Sequence, residues 1–274
     1  MNPVDEAIGL FGPESASWRI DRELVVLAGG SCALLMQAAH PTVAAGVVEH
    51  STYASDPIGR LTRTLEASFD VVFGSRSTAE AAIRRVNAIH RSVRGQLPDG
   101  RPYRATDPDA LLWVHATLVD TALRVHDRFV ARLGPADEQA YHEESGRVAL
   151  LLGVPADLLP PTITALRGWM RDRMADGTIR VTPEARLIAR SILRPHPLVP
   201  ARLFDVAHLV SLAVLPSELR RAYGIRWSAA RERGMERLSA LSRRGLPLLP
   251  TVVRHAPRAR AADRRVRQAL AGTT

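Results

Sequence analysis

Helical periodicity restricts this chain more than any other feature. Apolar residues recur at three- and four-residue spacing almost throughout, and alternating apolar–polar runs are nearly absent, which leaves little to build strands from. The breaks fall at residues that stop or start helices. "LVVLAGGSCALLMQAA" belongs to a nearly all-apolar pair of segments over 21–39, joined at Gly29-Gly30 and halted at His40-Pro41, because the residue before a proline avoids the α region. A second apolar segment follows over 42–50, and a third runs from Asp56 to Gly74. In "SRSTAEAAIRRVNAIHRSVRG" the spacing of Ser77 and Glu80 predicts a capping box, with Gly95 closing the helix. Asp107 as N-cap and Pro108 as the first helical residue open a helix of about seven turns. Further helices are expected over 136–152, 183–193, 200–215, 215–224 and 227–244. The reading is all-α: one multi-helix globular domain over 1–254, then a basic, small-residue-rich and flexible tail over 255–274.

Composition removes several chemistries. All 37 basic residues are arginine, so a phosphate-loop lysine, a lysine Schiff base and a Ser-x-x-Lys nucleophile are excluded. The absence of lysine, alongside many Ala, Pro and Gly, resembles a codon bias, so the net charge of +9 is not taken as a nucleic-acid footprint. Cys32 is the single cysteine, which permits no internal disulfide and no Cys-rich zinc site and fits a cytoplasmic location. The first residues, "MNPVDEAIGLFGPESASW", lack the basic and apolar regions of a signal peptide, and no apolar run is long enough for a membrane span. No Gly-x-Ser-x-Gly, Gly-x-Gly-x-x-Gly or His-Glu-x-x-His motif occurs, and no glutamate has a histidine three residues later, which removes the paired Glu-x-x-His of di-iron bundles.

Histidines remain. Six of the nine fall at positions 40, 50, 90, 115, 126 and 142. His90 lies on an apolar stripe with Val86 and Val93, widened by Ile83 and Ile89; a buried imidazole is costly unless its nitrogens find partners. His115, on an apolar face between Leu111 or Leu112 and Leu118 or Val119, is read as a hydrogen-bonded core residue. His126, beside Asp127, is read as partly exposed, and His40 as a helix end whose ring bonds local backbone.

Several ordered motifs carry a resemblance: "AAHPTVAAGVVEHSTYASDPIGRLTRT", "VVFGS", "AIHRSVRG", "YRATDPDALLWVHATL" and "LPSELRRAYG". Together, over roughly residues 20–230, they resemble the MpaB/rubber-oxygenase (latex-clearing protein) family. The resemblance implies an α-helical domain enclosing a pocket for haem b, held through one histidine, and oxidative cleavage of isoprenoid double bonds with dioxygen. Carried over by motif, it makes His90 the iron ligand and places Arg60 and Thr64 of "RLTRT" near the oxygen side. Arg60, Arg63 and Arg94 are candidates for the haem propionates, since guanidinium forks bind carboxylates bidentately; for Arg63 and Arg94 a solvated helix face is an equal alternative. Some rubber-cleaving members carry a lysine where this chain has Arg63, and arginine is a poor metal ligand. The distal position is therefore expected to hold water, nothing, or a second histidine, of which His50 is the nearest candidate; Glu49 and Asp56 are neighbouring carboxylates without an assigned role. The expected partners are a small apolar substrate (an isoprenoid or alkene), dioxygen and an electron donor. Two other readings stand beside this one: a haem-binding sensor or carrier without turnover, and a haem-free helical interaction protein whose Arg-rich 226–267 region binds acidic partners.

Overall fold

Prolines and short polar side chains set the helix starts. The computed structural model describes residues 2–51, 56–193 and 201–272, without the side chains of residues 57, 58, 60, 61 and 201–203. In chain order come α1 (Pro3–Ile8), α2 (Ala16–Asp21), a 3-10 segment (Leu24–Gly29) running into α3 (Gly30–Ala38), α4 (Pro41–His50), α5 (Pro57–Phe73) and α6 (Arg76–Ser92). A two-stranded antiparallel hairpin, β1 (Arg94–Gln96) and β2 (Pro102–Arg104), leads into α7 (Pro108–Val125), which continues through a π-helical turn (His126–Val130). Then follow α8 (Pro135–Leu151), α9 (Ile163–Ala175), α10 (Pro183–Ile192), α11 (Ala201–Val214), α12 (Ser217–Ala222), α13 (Ala229–Gly245), α14 (Thr251–Arg254) and α15 (Pro257–Ala271). Asp56, Asp107, Thr162, Thr182 and Ser228 cap their helices by accepting from first-turn N–H groups, and a proline follows Asp56, Asp107 and Thr182 directly.

Both ends of α6 differ from the sequence reading. The cap of α6 is Ser75, whose hydroxyl accepts from Thr78 N; Ser77 instead donates to Glu6 at 2.5 Å, and Glu80 pairs with Arg76. That helix ends at Ser92, because Val93 turns extended and the chain enters the hairpin, so Gly95 is a strand residue.

The main core forms around α7, which is buried on most sides, as an apolar helix with little polar face should be. Trp113 of α7 donates its indole N–H to Met36 O of α3 at 2.9 Å. Gly29 lets the 3-10 segment press against α7: a Cβ there would lie 2.7 Å from Thr121 and 2.8 Å from Val125. Asp120 is buried on α7 and accepts from Arg124 at 2.5 Å and Arg167 at 3.0 Å, while Arg167 also grips Glu138 with both terminal nitrogens.

A second cluster joins the ends of the chain. Phe11, Trp18 and Phe73 pack with Ala259, Ala262 and Val266, and Trp18 meets Phe73 edge-on at 5.2 Å. Trp18 Nε1 donates to Asp263, and Arg265 donates to the carbonyls of Ala7 and Phe73. The C-terminal stretch expected to be loosely held is thus a docked helix: its small residues, spaced three and four apart, let α15 lie close against aromatic rings. Glu23 secures the preceding turn. Its buried carboxylate takes Arg254 Nε at 2.7 Å with His255 Nε2 at 3.5 Å, and Glu23 and His255 form an isolated β-bridge.

Among the described residues no single helix is long and apolar enough to cross a membrane. Leu24–Ala38 and Pro41–His50 reach that apolarity only together, and they are bent by 105°.

Candidate active site

His90 occupies the last turn of α6, half-buried, with Nδ1 buried and without a hydrogen-bond partner among the described residues. Burial holds its pKa below the ordinary histidine value, so the ring is neutral at neutral pH. The stripe around it is narrower than the periodicity suggests: Ile83 is buried and Val86 half-buried, but Ile89 is 56% exposed. An orphaned nitrogen does not by itself distinguish His90, since His40, His115, His126 and His142 each have one. Its surroundings do.

Helices α5 and α6 are joined by the tight Gly74-Ser75 corner and pack antiparallel. The Arg85–Asp70 ion pair, 3.7 Å, links them. Counting back along α5 from that pair at equal rise brings the Arg60–Thr64 turn to the end of the hairpin that holds His90. Thr64 and Arg63 are exposed there, and Arg63 reaches Asp56 at 3.2 Å. Arg60 lies within α5, but its side chain is outside the described residues. Arg94 begins β1 four residues after His90; its side chain is exposed and its carbonyl accepts from His50 Nε2 at 3.1 Å.

The end of α4 closes against the β1–β2 hairpin that follows α6. Tyr103 is buried and donates its hydroxyl to Glu49 Oε2 at 2.5 Å, while the His50 ring stands edge-on to it at 6.4 Å. Burial, and then the Glu49 carboxylate, push the Tyr103 pKa above its usual value, so the phenol keeps its proton. Gly95 fits beneath this pair, where a Cβ would lie 2.5 Å from Glu49 Oε2 and 2.7 Å from the Tyr103 hydroxyl. Glu49, His50 and Arg94 are therefore neighbours. Sequence reasoning passed over Tyr103, although it stands inside "YRATDPDALLWVHATL" as one aromatic in a charged turn.

The other histidines depart from expectation. His40 is buried with Nε2 3.5 Å from Asp109 rather than on local backbone, and Asp109 also pairs with Arg173 at 3.1 Å. Among the described residues no hydrogen bond secures His115: its Nε2 is buried without a partner, and burial with nearby His142 drives its pKa down to about 4. His142 donates to Pro160 O at 2.8 Å. His126, expected to be partly exposed, is buried, because the phase of α7 sets it on the same inward face as Val119, Ala122 and Leu123.

Among the described residues no group of three or more His, Cys, Asp or Glu could hold a metal ion. A cleft of about 410 Å³ lies between α10 and Tyr223, lined by Arg186, Ala189, Arg190 and Leu193. What the α5–α6 end offers is one neutral imidazole, arginines for carboxylates, a threonine hydroxyl and apolar surface.

A family model described as the ER-bound oxygenase mpaB/B'/rubber oxygenase catalytic domain matches residues 18–244. Among curated proteins, an uncharacterized protein of Mycobacterium bovis and one of Mycobacterium tuberculosis are each 27% identical over 228 residues, covering 79% of this chain and 87% of their own length. No solved structure matches the chain.

Proposed function

The chain belongs to the family of the ER-bound oxygenase mpaB/B' and rubber oxygenase catalytic domain, and from that membership we propose a haem b-dependent oxygenase acting on a small apolar substrate, an isoprenoid or alkene, with dioxygen. The observation that carries this reading is the match over 18–244, which spans every residue named for the site. His90 is the ligand: burial keeps its ring unprotonated, as metal binding requires, and its Nδ1, buried without a partner among the described residues, is a ring nitrogen that no protein group claims. Haem supplies the dioxygen chemistry when bound. Arg94 and Arg60 hold propionates, and Arg63 does so if it leaves Asp56. The Thr64 hydroxyl sits on the oxygen side, where it can donate a hydrogen bond. Arg63, whose guanidinium pairs with Asp56, would supply no unprotonated amine able to bind the iron. His50 is a poor distal ligand through Nε2, which is committed to the Arg94 carbonyl. We place the protein in the cytoplasm, served by an electron donor.

The test is the absorption spectrum of haem-reconstituted wild type and His90→Ala, with iron and haem quantified. A Soret band at one haem per chain, lost or shifted in the variant while the melting temperature of the haem-free proteins stays similar, is the expected result. A wild type that retains no haem refutes the proposal, and an iron closed to cyanide and dioxygen converts it to a sensor or carrier.

A further inference from the structure

The segment after α13 exposes its apolar side chains. Leu241 is 68% exposed, Leu248 83%, Leu249 44%, Val252 57% and Val253 58%. They lie on α13 and on the short turns from Leu246 to Arg254, which Arg254 and His255 pin to buried Glu23. Such a run is held out by a fixed backbone, and Leu248 stands at its tip. Single exposed leucines need no explanation; five within thirteen residues do.

The charge around them has one sign. From Arg237 to Ala262 the chain has six arginines and no Asp or Glu. On α13, Arg237, Leu241 and Arg244 share one exposed stripe at four- and three-residue spacing, leading toward Leu248. Nearby acids are held, Asp127 by Arg132, Glu232 by Arg128 and Glu23 by Arg254, while exposed Glu236 lies off the Arg237–Leu241–Arg244 stripe on α13. The crown itself, residues 246–254, lies beyond the family match at 18–244 and plays no part in the proposed haem site.

We infer that this crown docks the protein on an anionic lipid bilayer, with Leu248, Leu249, Val252 and Val253 entering the headgroup–acyl boundary and Arg237 and Arg244 lying against lipid phosphates. An apolar tip flanked by the Arg237–Arg244 stripe matches a surface with a negative exterior and an apolar interior, and the two signals act together. A second copy of the chain fits worse, because a two-fold contact would set the arginines against themselves. An acidic polypeptide would satisfy the arginines but leave the projecting tip without a pocket.

Co-sedimentation of the full chain with phosphatidylcholine vesicles, with and without phosphatidylglycerol, tests this. Wild type should pellet with the phosphatidylglycerol vesicles and be released by salt. Leu248→Ser with Val252→Ser should weaken binding more than tenfold, and Arg237→Gln with Arg244→Gln about fivefold per arginine. Unchanged melting temperatures would show that both variants keep the fold. The inference is overturned if wild type ignores both vesicles, binds neutral and anionic vesicles equally, or binds polyglutamate but not vesicles. It is also overturned if wild type is a dimer in solution that Leu248→Ser with Val252→Ser makes monomeric.

Discussion

Gly95→Ala is a sharp test of the packing at the proposed site. Gly95 is not at positive φ, so alanine meets no backbone penalty, and any cost must come from the new methyl group. That carbon would stand 2.5 Å from Glu49 Oε2, 2.7 Å from the Tyr103 hydroxyl and 2.8 Å from the Tyr103 ring, all inside van der Waals contact. Relief requires the Tyr103–Glu49 bond to part. A hydrogen bond to a carboxylate is worth about 1.5–3 kcal/mol, and a side chain forced off its rotamer costs about 0.5–1.5 kcal/mol more. The total of about 2–4 kcal/mol corresponds to a fall in melting temperature of roughly 5–12 °C for a chain this size. Calorimetry of the single variant, and of the same change in a Tyr103→Phe background, reads it directly. With the hydroxyl gone, the cost of Gly95→Ala should shrink by at least about 1 kcal/mol. Equal costs in both backgrounds, or a Gly95→Ala protein melting within about 1 °C of wild type, would refute the close approach as the reason for glycine.

Asp120→Ala should destabilise by about 3–5 kcal/mol in urea unfolding, because it strips Arg124 and Arg167 of a buried carboxylate. Asp21 has its pKa raised to about 7 by burial, so the folded chain keeps a proton that the unfolded chain has already released; stability therefore falls as pH rises from about 4 to about 7. Asp21→Asn, which still accepts from Tyr141, should accordingly raise the melting temperature at pH 8 and leave it nearly unchanged at pH 4. His115, held at about 4, works in the opposite direction: wild type should lose up to about 3 kcal/mol as pH falls from about 6.5 toward 4, and His115→Gln should flatten that slope in pH-dependent melting.

Most of the helical plan was legible because its punctuation is local. Asp107-Pro108, Thr182-Pro183, Asp56-Pro57 and the Gly29-Gly30 joint are visible within a few residues and fall where the structure has them. What escaped depends on distant partners. Strands of three residues carry no measurable alternation, so the hairpin that brings Tyr103 to Glu49 left no pattern. His126 was misjudged from its charged neighbours Asp127 and Arg128, although its spacing from Val119, Ala122 and Leu123 puts it on the buried face of α7. The C-terminal helix looked loose from its arginines and alanines, yet the alanines are what let it approach Trp18 and Phe73. At the site, family motifs rather than spacing singled out His90, since its orphaned nitrogen is shared with histidines elsewhere in the core.

The contact between α1 and α15 brings the two ends of the described chain to one side of the molecule. A glycine–serine bridge from the end of α15 back to α1 is therefore the place to join the two, and new ends could be opened in an exposed turn such as Asp99-Gly100. Cutting the chain before α15 would instead uncover the indole of Trp18 and leave Asp263's partner unbonded, so shortened versions should be made from the loops and not from the C-terminal end.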